Sequence, residues 1–329
     1  MKVLIIQTAF LGDAIISLSL AEELRRLSPE AEISYLVRPE FAAAIKLSPS
    51  VNKVFTFDKY NTESGLEGIQ KKASELNTEQ FDIVFTFHNS KRTIMLIERL
   101  NAGQKIGYGE NKVLTHNVRE VQEPHTAKAI RLLQAILPEA NVKTLPKLQP
   151  LESSLPKELL NLPRPIIAIA PDSVWKTKQW GIENFLALMN RLLNEKHSIV
   201  VIGNNSKLHL FDIHKSLNTN MLNLLSQTSI EGLAAVISYS DILISNDSAP
   251  VHIATATNTP SVVIFGPTVS DFGFAPPQEL GIVIENKELW CRPCASHGSN
   301  ECPIHTHECM SSISPDIVFE SAMLRLSLS

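Results

Sequence analysis

The sequence predicts an α/β protein of two doubly wound domains, each a parallel sheet with helices on both faces. Three observations carry this. Short apolar runs of strand length alternate with longer segments whose apolar residues recur at three- and four-residue steps. The alternation fades over Leu145–Pro165, where Pro and Leu are frequent and no period holds, and then begins again. The 329 residues, 44% hydrophobic and 19% charged, suffice for two cores. The boundaries expected from this pattern are 1–155, 156–312 and a closing helix over 313–329.

The elements follow in order. Val3–Ile6 reads as a buried strand, Gln7–Gly12 as a turn, and Asp13–Leu27 as an amphipathic helix with Ala14, Leu18, Ala21, Leu24 and Leu27 on one face. Ile33–Val37 is a strand, Pro39–Leu47 a helix, Val51–Phe57 a strand, Asn61–Gln80 a polar helix and Asp82–Phe87 a strand. The second series runs through strand Ile166–Ala170, helix Ile182–Asn194, strand Ser198–Ile202 and helix Ile230–Ser238. It continues with an apolar run over Ile242–Ile244, a small-residue helix through Val251, Ala254 and Ala256, and a strand over Ser261–Phe265. Ser314–Leu328 has one apolar side and reads as a last helix.

Composition narrows the function. The net charge is −4. Residues 1–150 hold 19 Lys and Arg against 17 Asp and Glu, and residues 151–329 hold 11 against 17, without the strong basic bias of a nucleic-acid binder. No apolar run reaches membrane-spanning length. The opening MKVLIIQTAF is too short for a signal peptide and lacks a cleavage site, so a cytoplasmic protein is expected.

Candidate chemistry lies where strands end. The stretch Ser245-Asn246-Asp247-Ser248-Ala249-Pro250 closes a strand and opens a helix with Pro in its first turn, a place suited to phosphate or a sugar hydroxyl. It also reads as an ordinary capped helix start, with Asp247 or Ser248 as the cap. His252 lies one turn past Ser248. The turn Pro171–Trp180 packs Trp175, Lys176, Lys178 and Trp180 together. A lysine there could neutralise a diphosphate, or the loop is solvated with its tryptophans covering the core. Gly203-Asn204-Asn205 forms a third turn on the same rim. In the first half, Phe10-Leu11-Gly12-Asp13 lacks the G-x-G-x-x-G dinucleotide fingerprint. Asp13 is either a helix-capping carboxylate or a general base for an acceptor hydroxyl.

Four cysteines fall in C-x2-C-x7-C-x6-C from Cys291 to Cys309, with His297, His305 and His307 among them. The spacing permits zinc, yet the last two intervals fit no common finger or ribbon. A loop of buried or free thiols, tightened by Pro293 and Pro303, is the other reading.

Taken together, KVLIIQTAFLGDAIIS, PDSVWKTKQW, SNDSAPVHIATATNTPSVVIFGP and CRPC…CPIHTHECM, in this order along nearly the whole chain, resemble the ADP-heptose:lipopolysaccharide heptosyltransferases of glycosyltransferase family 9. Asn89-Ser90-x-Arg92-Thr93 and the cysteine-rich tail are most similar to the heptosyltransferase II branch. The resemblance implies a GT-B fold, two Rossmann-like domains facing a cleft: an acceptor domain, a nucleotide-sugar domain, and a final helix packing back on the first. It implies an inverting transfer with Asp13 as base and Lys178 on the donor phosphates. Ser173, Thr177, Gly203, Asp247, Ser248, Ala249 and His252 would bind the donor, and Asn89, Ser90 and Arg92 the acceptor. Ala249 and Asp172 stand where the family usually has Gly, and Gly181 where it has Pro.

The donor implied is ADP-heptose, with no metal and no cofactor required. The acceptor is the anionic inner core of lipopolysaccharide, met peripherally at the inner face of the inner membrane by a monomer. Eight Lys and Arg against four Glu over residues 88–131 suit such an acceptor, although each also fits a solvated surface. The alternatives are a GT-B transferase using another nucleotide sugar for a surface glycan, a nucleotide-sugar epimerase, or a sugar-nucleotide binder without turnover.

Overall fold

A computed structural model describes residues 1–204 and 220–328. The chain divides into two compact units, Met1–Gln149 and Pro150–Ser329. The division falls before the expected 155/156 boundary. The cause is local: the segment meant as a linker folds into 3-10 turns at Glu152–Ser154 and Lys157–Asn161, and Leu159 is buried.

In the first unit the order is β1 (Lys2–Ile6), α1 (Leu11–Ile16), α2 (Leu18–Leu27), β2 (Glu32–Val37), α3 (Ala42–Lys46), β3 (Lys53–Thr56), α4 (Gly65–Asn77) and β4 (Ile83–Thr86). Then come α5 (Lys91–Glu98), β5 (Gln104–Tyr108), β6 (His116–Val118) and α6 (His125–Gln134). The six strands pair in parallel in the order β3-β2-β1-β4-β5-β6. Strand residues Leu4, Ile6, Leu36 and Val84 bury one side of the sheet against Ile69, Ala73, Leu76, Leu96 and Ile97 of α4 and α5.

Two expected helices change length for polar reasons. The helix foreseen over Asp13–Leu27 breaks at Ser17. Its hydroxyl donates to the Ala14 carbonyl at 2.9 Å and pairs with the Tyr35 hydroxyl, a local alternative to the helical ladder. The helix foreseen from Asn61 starts only at Gly65. Asp58 collects the Asn61 and Thr62 amides and the Thr62 hydroxyl at 2.9–3.3 Å and holds a turn there.

The second unit carries β7 (Ile166–Ala170), α7 (Ile182–Asn194), β8 (Ser198–Val201), β9 (Met221–Asn223), α8 (Ile230–Tyr239) and β10 (Ile242–Asn246). It ends with α9 (Ala249–Ala256), β11 (Ser261–Phe265), β12 (Gly281–Glu285), α10 (Glu308–Ser311) and α11 (Pro315–Ser327). Its strands are also all parallel, ordered β12-β11-β10-β7-β8-β9. Read from β9, this repeats the topology of the first unit. Each sheet therefore reverses direction beside its first strand, between β1 and β4 and between β7 and β10. Those are the points where open α/β sheets bind ligands, outside the carboxyl ends of the strands.

The closing helix packs into the core of the second unit. Val318, Phe319 and Ala322 of α11 are buried in the second unit's core with Phe185, Met189, Val262 and Ile264. Arg191 of α7 stacks over the Phe319 ring at 3.8 Å and pairs with Asp316. The apolar side read in Ser314–Leu328 is the side that meets this core. Among the described residues, no helix is long and apolar enough to cross a membrane.

Candidate functional site

At the switch point of the second unit, β10 ends and its last residues turn inward. Asp247 follows Asn246 at the strand end, and both are nearly inaccessible. Lys178 Nζ lies 2.5 Å from Asp247 Oδ2, and the Thr268 hydroxyl donates to the same oxygen at 2.8 Å. One carboxylate oxygen of Asp247, Oδ2, is thus anchored by two donors.

The lysine comes from the turn after β7, and side chains from several elements fix that turn. Asn246 accepts from the Trp180 amide at 3.1 Å and donates to the Pro171 carbonyl at 2.7 Å, tying both ends of the turn to β10. Trp180 is 2% exposed, stands edge-on to Phe185 at 4.9 Å and donates its indole N–H to the Ile313 carbonyl. Thr177 exchanges three hydrogen bonds of 2.8–3.0 Å with the Ser299 backbone, and His307 Nε2 donates to the Thr177 carbonyl at 2.8 Å.

Ser248 precedes α9 in extended conformation, but its hydroxyl does not cap the helix. It lies 3.3 Å from both the Ser245 hydroxyl and the Asn246 carbonyl. The expected cap is thus missing, because the hydroxyl is turned back toward β10. Ala249 opens α9, with Pro250 in the first turn. His252, on the next turn, is buried with its ring 6.1 Å from that of Phe274. Burial pushes its imidazole down to about 4; Asp247 opposes the shift and Lys178 adds to it. Neutral near pH 7, it can donate or accept a hydrogen bond but adds no charge.

Ser173 accepts from the Trp175 amide and its carbonyl accepts from Gln179, which shapes the same turn. Gly203 has φ +148°, and a Cβ there would stand 2.5 Å from Asp172 Oδ2, which accepts from the Asn204 amide at 3.0 Å. Gly181, at φ +99°, holds a conformation a proline ring forbids. Asn205 lies outside the described residues.

At the first unit's switch point, Asp13 is the third residue of α1 and accepts from the Phe10 amide at 3.3 Å. His88, just past β4, is pushed down by burial and by Lys59, while Asp13 pulls it up, so these three groups share one neighbourhood. Asn89 donates to the Tyr108 carbonyl, and Ser90 caps α5 by accepting from the Thr93 amide at 3.3 Å. Both side chains are thus committed to the scaffold. Arg92 lies over the Tyr60 ring at 5.3 Å, where Arg38 and Lys59 also stack, each at 5.1 Å. Lys59 is 3% exposed and donates to the Thr8 hydroxyl at 3.1 Å. Burial, then Arg38 and Arg92, push its ammonium below the usual lysine range.

The profile of Glycosyltransferase family 9 (heptosyltransferase) matches residues 69–305 of this chain. The chain belongs to glycosyltransferase family 9. It is 25% identical to lipooligosaccharide heptosyltransferase 2 of Campylobacter jejuni over 331 residues, 98% of this chain and 97% of that one. Among solved structures it resembles a glycosyl transferase family 9 protein from Veillonella parvula at 20% identity and a TM-score of 0.85, covering 100% of this chain and 98% of that one. It resembles E. coli ADP-heptose lps heptosyltransferase II at 21% identity and a TM-score of 0.79, covering 99% of both chains. The fold is therefore the two-domain GT-B arrangement of family 9 and the protein is a glycosyltransferase; the epimerase alternative gains no support.

Within this family 9 fold, the expected donor residues Ser173 and Thr177 lie with Lys178 past β7, Gly203 past β8 and Asp247 and Ser248 past β10, while Ala249 and His252 belong to α9. Sequence reasoning assigns no such role to Thr268, Asn246, Ser299 and His307, which hold those turns, or to Arg38, Lys59 and Tyr60, which meet Arg92. Nothing in the spacing of Thr268 or Arg292 tells which side chain each reaches. Among the described residues, no three His, Cys, Asp or Glu side chains form a group that could hold a metal ion, and the four cysteines are free thiols.

Proposed function

We propose that this glycosyltransferase moves heptose from ADP-heptose to the inner core of lipopolysaccharide, with inversion at the anomeric carbon. The observation that carries the reading is the Lys178–Asp247–Thr268 arrangement at the second switch point, in a family 9 chain. A buried ammonium held by one carboxylate oxygen is poised to exchange that partner for a diphosphate, and the Asp247 carboxylate can accept from a sugar hydroxyl. The first-turn amides of α9, not capped by Ser248, add donors toward the same anion. As the glycosidic bond to ADP breaks, charge grows on the leaving diphosphate, and Lys178 stabilises it.

Asp13 takes the acceptor hydroxyl proton as the new bond forms. The acceptor's phosphates meet Arg38, Lys59 and Arg92 around Tyr60, cations that partly repel one another until an anion arrives. Asn89 and Ser90 set the loop that carries Arg92. In this reading the protein is cytoplasmic and meets its lipid-linked acceptor at the inner face of the membrane, without a metal.

The test is a transfer assay with ADP-heptose and a heptose-truncated core, read by mass spectrometry. One added heptose for the wild type and none for Asp13→Ala supports both reaction and base. Transfer by both proteins removes Asp13 from its role. No transfer with the donor intact points to another nucleotide sugar, to be found by screening UDP-, GDP- and CMP-sugars.

A further inference from the structure

We infer that Arg292 is a positioning residue for the nucleotide-sugar site, acting through Thr268 on the Asp247 carboxylate. This rests on the donor reading of the Lys178–Asp247 pair.

The Arg292 side chain is 3% exposed, and its guanidinium serves four acceptors at once. It donates to the Gly266, Asn286 and Thr268 carbonyls, the last at 2.7 Å, and to Glu285 Oε2 at 2.9 Å. Gly266 and Thr268 bracket the turn that leaves β11, and Glu285 and Asn286 end β12. One rigid, planar cation thus ties two strand exits together. A lysine has a single nitrogen and cannot span these acceptors.

The Thr268 carbonyl is held by Arg292, and its hydroxyl is thereby aimed at Asp247 Oδ2, 2.8 Å away. The same oxygen takes the Lys178 ammonium. The Thr268 hydrogen bond does two things. It fixes the carboxylate plane, which decides where Oδ1 points. It also shares the charge on Oδ2, loosening that oxygen's hold on Lys178 and easing the transfer of the ammonium to an incoming diphosphate. Glu285 is kept from competing: Arg292 and the Ser270 hydroxyl, at 2.7 Å, hold its carboxyl below the usual range even though burial raises it. Arg292 is almost wholly buried and reaches Asp247 only through Thr268, so it acts at one remove.

The experiment measures ADP binding by calorimetry and transfer kinetics on the full-length protein for Arg292→Gln, Thr268→Val and the double variant, with Arg292→Lys in parallel. Each single change is expected to weaken ADP binding about tenfold and to raise the donor KM with the acceptor KM unchanged. The double variant is expected to lose no more than the worse single one, because both cut the same chain of contacts. Losses that multiply, or an Arg292→Gln protein that melts earlier yet binds ADP as the wild type does, overturn the inference. If Arg292→Gln does not fold, Arg292→Lys alone and combined with Thr268→Val carries the same comparison. A wild type that does not bind ADP overturns the donor reading, and this inference with it.

Discussion

Lys178 Nζ and Asp247 Oδ2 stand 2.5 Å apart with side chains 10% and 5% exposed, an ion pair almost removed from water. Removing one partner leaves the other charge buried without compensation, while removing both leaves only a small gap. Lys178→Met is expected to lower unfolding stability by about 3–5 kcal/mol. The Lys178→Met/Asp247→Asn double variant should recover part of that loss while remaining inactive. Urea denaturation of the wild type, Lys178→Met and the double variant checks this; a double variant no more stable than Lys178→Met would place the cost elsewhere.

His252 gives a pH signature. Its folded pKa, about 4, lies below the unfolded value, so the unfolded chain binds more protons between the two. The stability it contributes is complete above about pH 6.5 and drains away as pH falls toward 4. A His252→Gln variant should show a flatter stability curve across that window. Thermal melts of both proteins from pH 4 to pH 7 decide it, and parallel curves refute the assignment.

Gly203 and Asp172 belong together. At φ +148°, and with Asp172 Oδ2 only 2.5 Å from where a Cβ would stand, alanine is excluded by backbone and neighbour alike. Gly203→Ala is expected to cost about 1–3 kcal/mol. Adding Asp172→Gly should recover only the part due to the clash. Equal stability of both variants would show that the side chain was never in the way.

The thiols should react in a set order. Burial raises the Cys302 thiol, but the backbone N–H groups of His307, Ile304, Thr306 and His305 outweigh it and hold the thiol below its usual value. Cys309 is 5% exposed, and burial pushes its thiol up to about 11, with Cys294 adding to the shift. Timed alkylation with peptide mapping should find Cys302 modified before Cys309 at about pH 7.5. The reverse order would contradict this account of the segment.

The alternation of apolar strands and amphipathic helices determined the fold class by itself, because strand and helix periods are local. The places of Asp13, Lys178 and Asp247 past strand ends were legible for a related reason, since the turns that follow strands show in the sequence, while the roles proposed for them rest on the family resemblance. Local polar competition was harder to see. The Ser17 break in the first helix depends on Tyr35, a residue of β2. The partners of the last helix were also invisible, since an apolar side in Ser314–Leu328 does not say that it meets Phe185 and Val262. Tertiary structure alone decided which distant side chains share an oxygen. Lys178, Asp247, Thr268 and Arg292 are far apart along the chain and meet because parallel pairing sets β7, β10, β11 and β12 side by side with their carboxyl ends aligned. A sequence specifies each strand, but which strand ends become neighbours follows from the order in which the sheet is assembled.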